Sequence, residues 1–94
     1  MPPPRPVVLI TGAARRIGAA IARRLHADGC DLVLHCHGSV DAMEALRREL
    51  ERSGGSVQVL QADLREAGAL APLVDRAAAR HGRLDALVNN ASNF

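Results

Sequence analysis

The apolar residues of this chain fall into short continuous runs separated by stretches of helical period, and that alternation limits the fold more than any other feature. Val7-Val8-Leu9-Ile10 is an unbroken aliphatic run, as a strand buried on both faces of a parallel sheet requires. Behind it Ile17, Ile21 and Leu25 recur at i, i+4 and i+8, one face of a helix that closes near Gly29. Leu32-Val33-Leu34 reads as a second strand. Val40, Met43, Leu46 and Leu50 stripe a second helix that Gly54-Gly55 ends. Val57 to Leu60 is a third strand, and Leu70, Leu73, Val74 and Ala77 line a third helix that stops by Gly82. Leu84 to Val88 reads as a fourth strand.

The order is therefore β-α-β-α-β-α-β. Strands joined by single helices pair in parallel through right-handed crossovers. The expected fold class is α/β, the N-terminal part of a doubly wound parallel sheet of the Rossmann type with strand order 3-2-1-4. Residues 1–6, Met1-Pro2-Pro3-Pro4-Arg5-Pro6, read as a flexible proline-rich tail, and residues 7–94 as the N-terminal half of a dinucleotide-binding domain. In that fold the fourth strand is internal and pairs with a fifth, whereas here only a few residues follow Val88. An open, apolar edge at Leu84–Val88 is an aggregation template, so the expectation is a piece of a longer protein, cut after the fourth strand.

Composition excludes several chemistries. The 94 residues are 48% hydrophobic and 23% charged, the balance of a soluble globular chain. All 12 basic residues are Arg; there is no Lys, no Tyr and no Trp, and the one aromatic residue is Phe94. No mechanism that needs a Tyr hydroxyl or a Lys ammonium can run within these residues. The net charge of +2 comes from arginines interleaved with 10 acids, without the clustered basic face and stacking aromatics of a nucleic-acid binder, so no nucleic-acid partner is expected. No signal-peptide core or membrane-length run occurs, so no membrane partner is expected. Cys30 and Cys36 fall along one strand, too far apart to bridge, and free thiols fit a reducing, cytoplasmic setting. His35 and His37 share one face of that strand, but no third ligand stands at metal-binding spacing, so no metal is expected.

The turn after the first strand carries the chemistry. It reads Thr11-Gly12-Ala13-Ala14-Arg15-Arg16-Ile17-Gly18. Gly12 supplies the residue without a Cβ where the backbone bends, and Ala13, Ala14, Gly18, Ala19 and Ala20 keep clear the approach of a pyrophosphate to the helix N-terminus. An NAD-selective site carries an acid about 20 residues on, at the end of the second strand. Here that stretch is His35-Cys36-His37-Gly38-Ser39, with Asp31 at the far end of the strand and Asp41 in the next helix. Arg15, Arg16, His37 and Ser39 offer donors to a 2′-phosphate instead, so the cofactor expected is NADPH, preferred over NADH by at least about tenfold.

These residues resemble the short-chain dehydrogenase/reductase family, whose signatures are Thr-Gly-x-x-x-Gly-x-Gly at this turn and Asn-Asn-Ala-Gly after the fourth strand. Arg16 stands for the middle glycine, and the second motif reads Asn89-Asn90-Ala91-Ser92. Both departures are similar to the pteridine reductase branch, with its basic pair at the turn, its His-aromatic-His-Arg-Ser run and its Asn-Ala-Ser-x-Phe. Gly38 stands where that branch has Arg, and Cys36 where it has an aromatic residue.

The resemblance implies that Gly12, Arg15, Arg16, Ile17 and Gly18 hold the cofactor at the turn and that His37 and Ser39 bind its 2′-phosphate region. It implies that Asp63 and Leu64 sit at the adenine, and that Asn90, Ala91 and Ser92 line the nicotinamide ribose and phosphates. Arg16, Ser92 and Phe94 would meet the substrate, with Phe94 stacked on a pterin ring. Residue by residue there are plainer roles: Asp63 capping the next helix, Asn90 tying the sheet, Phe94 packing in a core. The implied full-length protein is a homo-oligomeric NADPH-dependent reductase passing hydride to a small pterin- or folate-like molecule. Its catalytic Tyr and Lys fall beyond residue 94, so no catalytic residue is expected in this chain. The alternatives are a truncated, non-catalytic nucleotide-binding remnant and a short-chain reductase for another carbonyl substrate.

Overall fold

Seven elements follow one another in strict alternation: β1 (Val7–Thr11), α1 (Arg16–Ala27), β2 (Asp31–Cys36), α2 (Val40–Glu51), β3 (Val57–Gln61), α3 (Leu70–Ala79) and β4 (Ala86–Asn89). They are taken from a computed structural model, which describes residues 5–13 and 16–90. The sheet is wholly parallel in the order β3-β2-β1-β4. Leu9 of β1 stands level with Val33 on one side and Leu87 on the other. The expected architecture and strand order are those observed.

Side chains of successive strand residues point to opposite faces, and each face has its own core. Val8 and Ile10 of β1, with Leu32, Leu34 and Cys36 of β2 and Val57 of β3, meet Ala22 of α1 and Met43, Leu46 and Leu50 of α2. Val7, Leu9, Val33 and Leu60 meet Leu73 and Ala77 of α3 on the other face. The apolar stripes of the helices thus form the outer layers of a three-layer sandwich. β1 and β2 are buried along their whole length, which is why Val7–Ile10 and Leu32–Leu34 read as aliphatic runs. β4 is the edge strand of the described residues and is largely exposed, Leu87 to 44%.

The start of the fourth strand differs most from expectation. β4 starts at Ala86, not at Leu84, because the Asp85 carboxylate accepts the Val7 N–H at 2.7 Å while the Asp85 N–H bonds the Val7 carbonyl at 2.8 Å. A side chain there takes a donor that a longer ladder would have used. Leu84 is left to pack against the α3-side core.

The N-terminal edge of the sheet is closed by polar bonds. Asp31 accepts from Arg5 Nε at 2.9 Å and from the Ser56 N–H at 2.8 Å. Burial alone would push the Asp31 carboxyl up, but the Ser56 and Arg5 bonds outweigh it and hold it below the usual carboxylate range. Cys30 and Cys36 are buried free thiols, and burial pushes both upward, away from thiolate. No described helix is long and apolar enough to cross a membrane.

Candidate functional site: the carboxyl edge of the sheet

β1 ends at Thr11, and the chain turns through Gly12 at φ 64°, a left-handed conformation that glycine adopts without strain. Three neighbours fix this turn. The Gly12 N–H donates to Nδ1 of His35 at 3.0 Å, the Ala13 N–H donates to the His35 carbonyl at 3.0 Å, and Asn90 Nδ2 donates to the Gly12 carbonyl at 3.2 Å. The Asn90 N–H donates to Thr11 Oγ1 at 3.0 Å. The end of β4 is thereby tied to the end of β1, the sheet-tying role foreseen for Asn90.

Gly18 lies one turn into α1, packed directly on this loop. A Cβ there would stand 2.7 Å from Ala13 Cα, 2.7 Å from the Gly12 carbonyl oxygen and 2.9 Å from Asn90 Nδ2. Two of the three are backbone atoms, so only glycine lets the helix start so close to the strand end. Arg16 is the first residue of α1 and is exposed, as is Ile17 to 67%. The first turn holds no acid. A cation at a helix N-terminus runs against the helix dipole, whereas an anion is favoured there.

His35 was not singled out as a site residue, yet it holds this edge together. Its imidazole is 3% exposed. With Nδ1 accepting from Gly12, the hydrogen is assigned to Nε2, which donates to the Ala62 carbonyl at 2.8 Å. One side chain on β2 therefore clamps the loop after β1 to the loop after β3. The signal was present in the sequence: a polar ring inside an aliphatic strand must find partners on both nitrogens.

A second group lies at the ends of β2 and β3. His37 is exposed, and Gln61 Nε2 donates to its carbonyl at 2.8 Å. Its Nε2 is 3.5 Å from Asp63 Oδ2. Asp63 Oδ1 accepts from the Arg65 N–H and from Arg65 Nε, each at 3.0 Å, and Oδ2 accepts from Arg65 NH2 at 3.1 Å. The guanidinium and backbone N–H of Arg65 hold the Asp63 carboxyl down at about 2. Asp63 does not cap α3, which starts seven residues later; its side chain closes a local turn instead. Ser39 stands at the N-cap of α2, but its hydroxyl makes no capping bond. Leu64 is half-buried against the α3-side core. Arg15, Ala91, Ser92 and Phe94 lie outside the described residues.

Of the residues singled out in the sequence, Gly12, Gly18 and Asn90 come together at the turn with Arg16 and Ile17 beside them. His37 and Asp63 meet at the neighbouring strand ends. Both groups occupy the carboxyl edge of the sheet, beside the first strand of a doubly wound fold, where such folds bind nucleotides.

Residues 6–93 match the family model for short chain dehydrogenases, and the chain belongs to that family. It is 37% identical to pteridine reductase 1 of Leishmania tarentolae over 98% of this chain and 38% of that protein. It is 38% identical to elsinochrome reductase 1 of Elsinoe fawcettii over 89% of this chain and 32% of that protein. Among solved structures, alternative dihydrofolate reductase 1 (FolM) of Brucella canis, crystallised with NADP, superposes with a TM-score of 0.86 at 45% identity, over 95% of this chain and 36% of that one. The chain spans about a third of the length of the curated relatives it matches.

Proposed function

We propose that the carboxyl edge of this sheet is the NADPH-binding half of a short-chain reductase whose substrate is a pteridine- or dihydrofolate-like ring. The observation that carries the reading is the Gly12–Gly18 contact, closed to any Cβ, at a helix N-terminus that presents Arg16 and no acid. That cradle fits a pyrophosphate: a helix N-terminus whose first N–H groups have no partner within the helix, a dipole that favours an anion, and a guanidinium alongside. The crystallised NADP complex of the Brucella canis relative supports the same cofactor.

Bound NADPH would supply the hydride. The residues of this chain bind and orient it. Gly12 and Gly18 allow close approach, Arg15 and Arg16 neutralise phosphate charge, and Ile17 offers apolar surface beside them. His37 and Ser39 serve the 2′-phosphate region; the Ser39 hydroxyl, which makes no capping bond, is consistent with that role. Asp63 and Leu64 border the adenine. By the family resemblance, Asn90, Ala91 and Ser92 would serve the nicotinamide ribose and phosphates, and Arg16, Ser92 and Phe94 the substrate. The family's proton-donating Tyr and the Lys four residues on have no counterpart in these 94 residues, so that step would need groups outside them.

The pterin reading rests on Arg16 and Ser92 in place of the family glycines and on the likeness to pteridine reductase 1 and to the alternative dihydrofolate reductase. Incubating the full-length protein with NADPH and dihydrobiopterin, dihydrofolate or a simple ketone tests it. NADPH consumption with the first two and not the ketone is expected. Turnover of the ketone alone would place the protein with reductases of other carbonyls.

A further inference from the structure

The end of β2 brings no acid to the place where an NAD-selective site keeps one, but the fold brings an acid there from β3. The Ala62 N–H bonds the Cys36 carbonyl at 3.0 Å, and the Ala62 carbonyl is held by His35. Asp63 therefore leaves β3 beside the end of β2, its Oδ2 3.5 Å from His37 Nε2. A bare carboxylate beside His37 would add negative charge near the residues assigned to the 2′-phosphate.

Asp63 is not bare. Arg65 covers both oxygens with Nε and NH2 and adds its own backbone N–H, three bonds between 3.0 and 3.1 Å. A carboxylate offers about four lone-pair positions, so one is left on Oδ2, facing His37 or an incoming adenine amino group. The Arg65 side chain is 55% exposed on the same edge. These Arg65 bonds are what hold the Asp63 carboxyl down at about 2.

We propose that Arg65 is a specificity-determining residue that masks the charge of Asp63, so that the β2–β3 edge accepts a nucleotide carrying a 2′-phosphate. The proposal rests on the NADPH reading above and adds the residue that makes it possible. Removing Arg65 leaves one uncompensated negative charge beside His37, at the edge that would take the 2′-phosphate. Across a partly solvated site this is expected to cost NADPH about tenfold in affinity and NADH little.

The test is the ratio of the NADPH and NADH dissociation constants, measured by fluorescence titration of the full-length protein at one fixed salt concentration. Wild type is expected to favour NADPH at least about tenfold, Arg65→Ala to lose most of that preference, and Arg65→Ala/Asp63→Asn to regain it. A general loss of fold or adenine contact lowers both affinities and leaves the ratio unmoved, so the ratio isolates the masking. An unchanged ratio in Arg65→Ala, or no recovery in the double variant, overturns the proposal while leaving the NADPH reading in place. Equal dissociation constants in wild type overturn both.

Discussion

Replacing His35 by Leu removes one side chain and strands two backbone groups. The Gly12 N–H loses its 3.0 Å acceptor and the Ala62 carbonyl its 2.8 Å donor, in a pocket where the imidazole is 3% exposed. Each orphaned group costs about 1–3 kcal/mol when water cannot replace the partner. Gly12 and Ala62 are themselves half-buried, so the lower part of that range applies, and the pair should cost about 2–4 kcal/mol. Denaturant unfolding of the full-length protein, wild type against His35→Leu, reads this loss directly.

Two finer variants separate the two bonds. Asn places an oxygen where Nδ1 stands and keeps the Gly12 bond; Gln places an amide nitrogen near Nε2 and keeps the Ala62 bond. Each is expected to lose about half of the Leu effect. Of these two, His35→Gln should weaken NADPH binding the more, because it releases the Gly12 N–H at the turn. A cost below about 0.5 kcal/mol for His35→Leu, or tighter NADPH binding in Gln than in Asn, would refute the clamp.

Gly18→Ala puts a methyl carbon 2.7 Å from two backbone atoms that cannot turn aside, so the helix start must shift. The expected result is about 1–3 kcal/mol of destabilisation in denaturant unfolding and more than about tenfold weaker NADPH binding by titration. Asp31 makes stability fall in acid. Its folded carboxyl lies below the unfolded value of about 3.9, so its contribution is complete above that value and is lost as pH drops through and below it. Asp31→Asn should be less stable at neutral pH, and its stability should fall less steeply in acid than that of wild type; parallel curves for the two proteins would contradict the assignment.

Much of this was legible because burial on both faces leaves a strong trace. β1 and β2 are aliphatic runs since each faces helices above and below, and Met43, Leu46 and Leu50 repeat at the spacing that points them inward. Where a side chain replaces a backbone partner, the trace fails. Asp85 takes the Val7 N–H and shortens β4, and nothing in Leu84-Asp85-Ala86 announces it. The turn at Gly12 and Gly18 was visible as a glycine pattern, because close backbone approach demands that residue type. The residues that support it were not. His35 was weighed only as a metal ligand and Arg65 not at all, because their partners lie more than 20 positions away or belong to a short loop without period.

The central claim is that the edge built by Gly12, Gly18, Arg16, His37 and Asp63 binds a nicotinamide nucleotide with a 2′-phosphate. Titrating the full-length protein with NADPH and with NADH, in the same buffer and salt, tests it most directly. NADPH should bind at least about tenfold more tightly, a difference of about 1.4 kcal/mol. Equal dissociation constants, or tighter binding of NADH, would contradict it.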